Sequence, residues 1–141
     1  MGYWGVKSYE NDEADQALDR GFEAVHGSVY DDLMDDRNPL TPEQIQARLA
    51  NPATLARSVE AFEAEAGAES ETWDEVDKLG FVGLIVRHAE LQVPIPADWR
   101  DRALLWLAEE SIDWDESTLR KLRRQKEIEL LERTPIATVP D

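Results

Sequence analysis

The stretch Leu79-Gly80-Phe81-Val82-Gly83-Leu84-Ile85-Val86 is apolar on every side. It constrains the fold more than any other feature, because an element without a polar face has to be enclosed by other elements. A run this short also suits a buried strand, so its flanks must separate the two readings. Helical spacing continues on both sides, which predicts a central helix over 73–91 with a strand as the competing reading. Gly80 and Gly83 would let neighbouring helices approach it closely.

The elements that enclose this run are also read as helices. Asn11 or Asp12 caps a first helix whose inward stripe is Ala14, Leu18, Phe22, Val25, Val29 and Leu33, spaced by threes and fours. Gly27-Ser28 marks a bend or a break in it, and Asn38-Pro39 ends it. Thr41-Pro42-Glu43-Gln44 is a helix start with Thr as cap, Pro at the first helical position and Gln three residues after the cap. The short helix that follows points Ile45 and Leu49 inward. Asn51-Pro52 starts another, with Leu55, Val59 and Phe62 inward and Gly67 at its close, before a polar loop over 68–71. Beyond the central helix, Val93-Pro94-Ile95-Pro96 reads as an extended connector. Ala97 or Asp98 then opens a helix with Trp99, Ala103, Trp106 and Leu107 on one face. After a link over 111–114, a final helix over 115–133 carries Leu119, Leu122, Ile128 and Leu131. The expected fold class is all-α: a compact single-domain bundle of five or six helices over 1–133, with an ordered N-terminal arm. Residues 134–141 read as a C-terminal tail, from which Ile136 and Val139 could pack.

Composition settles whether such a bundle folds at all. A net charge of −16 alone would suit a disordered chain, but 42% hydrophobic residues and five tryptophans in 141 residues supply a core. The chain has no cysteine, which excludes a disulfide framework and thiolate chemistry and fits a reducing compartment. No apolar run approaches the roughly 20 residues that span a bilayer. The N-terminus lacks a basic region followed by an apolar core, and Val6 stands where N-myristoylation requires Ser or Thr. The expectation is a soluble cytoplasmic protein with no membrane association.

The charge is unevenly placed. Residues 1–119 hold 27 of the 31 acids and 9 of the 15 bases, whereas residues 120–141 hold 4 acids and 6 bases. So negative a chain repels phosphate backbones, which excludes direct nucleic-acid binding and suits a basic protein partner. Asp31, Asp32, Asp35 and Asp36 gather at the C-terminal end of the first helix, where the helix dipole disfavours them. A basic partner would relieve that repulsion, so these four form the expected partner surface; a solvated acidic face is the alternative. The one basic stretch, Arg120 to Lys126, can dock against the protein's own acidic helices or join two copies as a homo-oligomer.

Few residues suggest chemistry. Glu23-Ala24-Val25-His26 has the Glu-x-x-His spacing of di-metal bundles. The second motif is missing, because Ile85 lies three residues before His88. Glu23 and His26 with a carboxylate such as Asp19 would make a mononuclear metal site; a surface pair with His26 near Tyr30 is the bland reading. His88 reads as a buried histidine bonded to a backbone carbonyl, or as a general base. Asp113-Trp114-Asp115-Glu116-Ser117 begins like a calcium loop but has Thr118 where glycine is required and Arg124 where glutamate is. Capping by Asp113 or Asp115 explains these residues better. Trp99, Trp106 and Trp114 read as core rather than as a cation cage. No cofactor is implied. These residues together predict a non-enzymatic acidic bundle that binds a basic protein, in the manner of an immunity protein or an adaptor. The alternatives are a metal-binding protein or metal-dependent enzyme using Glu23 and His26, and a DNA mimic whose carboxylates are spaced like phosphates.

The opening Met1-Gly2-Tyr3-Trp4-Gly5, followed by Tyr9-Glu10-Asn11-Asp12 and Ala14-Asp15, resembles the start of a bacterial family of uncharacterised proteins, domain of unknown function four-two-five-nine. Such proteins begin Met-Gly-x-Trp-Gly, continue to an aromatic, a polar residue and Asn-Asp, and enter an acidic amphipathic helix. Tyr9 stands where phenylalanine is usual. The resemblance covers about the first 20 residues and implies kinship and a short bacterial helical protein, with no activity to carry over. Physically, Gly2 and Gly5 permit tight turns, Trp4 and Tyr9 pin the arm to the bundle, and Asn11 or Asp12 starts the helix.

Overall fold

A computed structural model describes residues 7–35, 37, 39–110 and 117–136, and the protein is all-α among them. Seven α-helices follow one another: α1 Asp12–His26, α2 Ser28–Leu33, α3 Pro42–Leu49, α4 Pro52–Ala66, α5 Glu75–Glu90, α6 Ala97–Glu109 and α7 Ser117–Arg133. A 3₁₀ turn at Ser70–Thr72 joins α4 to α5.

The apolar run is helical and lies at the centre. Residues Leu79 to Ala89 of α5 are all buried, and α5 packs against α1, α4, α6 and α7. Helices α1, α3, α4 and α5 each begin on a side-chain cap that satisfies backbone N–H groups left open by the first turn. The Asn11 side chain accepts from Ala14 N at 2.8 Å. Thr41 and Gln44, Asn51 and Thr54, and Asp74 and Asp77 form reciprocal capping boxes. Trp73, expected as the start of the central helix, sits just outside it, buried and donating its indole N–H to the Gly67 carbonyl at 2.9 Å.

The structure corrects the predicted inward faces in two helices. Gly27, at φ 58°, breaks the first helix into α1 and α2. The break resets the helical phase: Ala14, Leu18 and Phe22 are buried as expected, but Val29 is exposed and Tyr30 takes the inward place. In α7, Leu119 and Leu122 are exposed, Ile128 is half-buried and Leu131 is buried, whereas Arg120 and Glu127 are fully enclosed. The close neighbour at Gly83 is not a helix either. A Cβ there would stand 2.6 Å from the Ser8 carbonyl oxygen and 2.7 Å from Tyr9 Cα, so the N-terminal arm lies directly on α5.

The chain stays attached beyond α7. Thr134 is buried, its hydroxyl donates to the Leu130 carbonyl, and Ile95 N donates to the Pro135 carbonyl at 3.0 Å. That bond closes an isolated bridge between Ile95 and Ile136 in the extended connector.

Candidate functional site

Two clusters of charge dominate the molecule, one enclosed and one open to solvent. The enclosed one grows from Glu127. Its position on α7, four residues after Arg123 and seven after Arg120, puts all three on the side facing the bundle. Glu127 accepts from Arg120 Nη1 at 3.0 Å, from Arg123 Nε at 3.1 Å, and from both Ser8 N and Ser8 Oγ at 2.9 Å. Arg120 also donates from Nε to Glu110 at 3.0 Å, and Arg123 to Glu90 at 2.9 Å. Burial alone would lower the Arg120 pKa, but bonds and charge from Glu110 and Glu127 outweigh it and hold the guanidinium above its ordinary value.

Tyr9 completes this cluster. Its ring lies among three cations, with the Arg87 guanidinium at 5.3 Å from the ring centroid, Lys7 at 5.7 Å and Arg123 at 5.9 Å. Burial, then a hydrogen bond to Glu90, raises its pKa and keeps the phenol protonated. Arg87 donates to Gln46 at 2.8 Å, which ties α5 to α3. Lys7, Tyr9 and Arg87 border a cleft of about 200 Å³ that Glu10, Asp15 and Glu43 also line.

The open cluster runs along α1 and α2. Asp12, Asp15, Asp19 and Glu23 recur at spacings of three and four, and all are exposed. Burial, then the charges of Asp19 and Asp12, raise the Asp15 pKa. The Tyr30 hydroxyl bonds to Asp19, so α2 folds back along α1. Of the four expected partner residues, Asp31 and Asp32 are exposed on α2. Asp35 is paired with Arg37, whose guanidinium and backbone N–H lower its pKa. Asp36 lies outside the described residues.

The remaining expectations are placed as follows. Asn11 caps α1, Asp12 is its first residue and Tyr9 joins the enclosed cluster; Gly2, Trp4 and Gly5 lie outside the described residues. His26 donates Nε2–H to the Leu49 carbonyl at 2.8 Å, and Glu23, on α1, is exposed. Among the described residues no group of three His, Cys, Asp or Glu side chains is arranged to hold a metal ion. His88 is fully buried, with Nδ1 on the Leu84 carbonyl at 3.0 Å and Nε2 facing the Thr54 hydroxyl at 2.9 Å. Desolvation lowers its pKa to about 4. A sealed, neutral imidazole with both nitrogens engaged binds α5 to α4. Trp106 packs at 5.6 Å on Trp73 and 5.4 Å on Phe81 as core, and Trp99 is partly buried against it. Trp114, Asp113 and Asp115 lie outside the described residues.

Reasoning from sequence missed Ser8, Glu90, Glu110 and Glu127 altogether. The signal was present in α7: Leu119, Leu122, Ile128 and Leu131 cannot share one helical face, so another set had to face inward. Compared with known proteins, the chain matches no family model, no curated protein and no solved structure. Among the described residues no helix is long and apolar enough to cross a membrane.

Proposed function

We propose that this is a non-enzymatic, cytoplasmic bacterial protein that binds a basic protein partner through the acidic face of α1 and α2. The observation that carries the reading is the open ladder of exposed carboxylates Asp12, Asp15, Asp19 and Glu23, in which burial first, and then the charges of Asp19 and Asp12, raise the Asp15 pKa. Lysines or arginines of a partner would relieve the repulsion among these carboxylates. The enclosed cluster reinforces it: Arg87, Arg120 and Arg123 are matched there by Glu90, Glu110 and Glu127, leaving 28 acids against 12 bases elsewhere. Asp31 and Asp32 extend the face on α2. Kinship with the domain of unknown function four-two-five-nine belongs to the same proposal and rests on the N-terminal residues alone.

The test is a pull-down from the source cell with the wild-type chain and an Asp15→Asn/Asp31→Asn/Asp32→Asn variant. The expected result is a basic protein retained at low salt, released at high salt and lost by the variant. Retention of the same proteins by both chains at every salt concentration would sink the reading.

A further inference from the structure

The cleft beside Tyr9 lies where the N-terminal arm, α1, α3 and α5 meet, and it carries charges of both signs. Lys7 and Arg87 bring two cations to it, and Glu10, Asp15 and Glu43 bring three carboxylates. Among the described residues no ion pair engages Lys7, Glu10, Asp15 or Glu43. Arg87 is the informative member. Its side chain is only 10% exposed, which is costly for a guanidinium unless its donors are met. Gln46 takes Nε at 2.8 Å. Glu90 stands 3.8 Å from Nη1, beyond hydrogen-bond reach, and its other oxygen is held by Arg123 at 2.9 Å. Nη1 and Nη2 therefore have no hydrogen-bond partner among the described residues, and neither is sealed from solvent. What Arg87 keeps open is the fork that binds a carboxylate through two parallel N–H bonds.

We propose that this cleft binds a free α-amino acid with a cationic side chain, lysine or arginine, its carboxylate on Arg87 and its two cationic groups among Glu10, Asp15 and Glu43. Charge decides the class. A simple anion would meet three carboxylates, and a chain of net charge −16 repels it from a distance. A simple cation would leave the Arg87 fork empty, and an amino acid with a neutral side chain would leave carboxylate in excess. A ligand with one negative and two positive charges answers both signs and neutralises the two cations and three carboxylates together. The volume of about 200 Å³ lies below the roughly 300–1,000 Å³ of sites for drug-sized ligands, which limits the occupant to a small metabolite. This inference goes beyond partner binding by the acidic face and does not depend on it. Asp15 alone belongs to both, so the variants that test the cleft leave it intact.

Isothermal titration calorimetry of the full chain with lysine and with arginine tests the site, circular dichroism confirming that each variant folds. The expected result is saturable binding of one or both at millimolar concentration or below. Lysine methyl ester, which lacks the carboxylate, and Nα-acetyl-lysine, which lacks the α-ammonium, should each bind at least tenfold more weakly, by about 1.4 kcal/mol. Arg87→Gln should abolish the preference for lysine over its ester. Glu43→Gln, at an exposed position of α3, should weaken binding without disturbing the fold, and it carries the test if Arg87→Gln does not fold. No saturable binding of either amino acid, glutamate or inorganic phosphate bound as tightly as lysine, an ester bound as well as lysine, or an affinity unchanged by Glu43→Gln overturns the inference.

Discussion

The α1 and α7 helices both carry charge at helical spacing and use it in opposite ways. On α1 the carboxylates face solvent and repel one another, while the inward side is Ala14, Ala17, Leu18 and Phe22. On α7 Arg120, Arg123 and Glu127 turn inward and two leucines turn out. The difference teaches that a charge run has no fixed direction. It goes to solvent where apolar residues fill the opposite face, and it goes inside where neighbouring elements supply matching charge. For α7 those elements are Glu90 on α5, Glu110 after α6 and Ser8 of the N-terminal arm.

The sharpest way to break this contrast is to remove Glu127. Glu127→Ala leaves Arg120 and Arg123 buried beside a missing carboxylate and frees Ser8, at a cost of about 3–5 kcal/mol. Urea denaturation checks it, and a loss below 1 kcal/mol would show that the enclosed cluster is not structural. The pH dependence comes next. The folded-state pKa of His88, about 4, lies below the unfolded value of 6.5, so the unfolded chain binds the extra proton between these values. Its contribution is therefore present at neutral pH and declines as pH falls from 6.5 towards 4, on the order of 3 kcal/mol in all. The raised pKa of Asp15 acts in the opposite sense, so the measurement is the difference in pH profile between wild type and His88→Gln. An unchanged profile would place the imidazole in contact with water.

Gly83→Ala probes how the arm reaches the cluster. The new methyl would meet backbone atoms of Ser8 and Tyr9 rather than a movable side chain, at a cost of about 1–3 kcal/mol. Thermal melting together with faster hydrogen exchange at residues 8–11 is the expected pair of readouts. The smallest effect belongs to the open face. Asp15→Asn should change stability by no more than about 0.5 kcal/mol, towards greater stability, because it removes a repelled charge. A loss above 1 kcal/mol would mean that the α1 carboxylates are structural after all, and would erase the contrast with α7.

Much of the fold could be read from the residues because its signals are local. Caps such as Asn11, Thr41 and Asn51 act within one turn, and the all-round apolar run of α5 requires enclosure whatever encloses it. The acidic face was legible for the same reason: Asp31 and Asp32 are exposed on α2, and Asp12, Asp15, Asp19 and Glu23 continue the exposed carboxylates along α1. The enclosed cluster was not legible. Its bonds join residues as far apart as Ser8 and Glu127, and nothing in either segment names the other.

The sequence by itself determined an all-α chain with a buried central helix, its helix starts and an excess of negative charge, since capping, periodicity and charge are properties of short segments. Only the tertiary structure decided which charges are used up inside. Whether an arginine such as Arg120 faces water or a carboxylate depends on what other helices bring within about 3 Å of it, because a buried guanidinium is tolerated only where its partners are already in place.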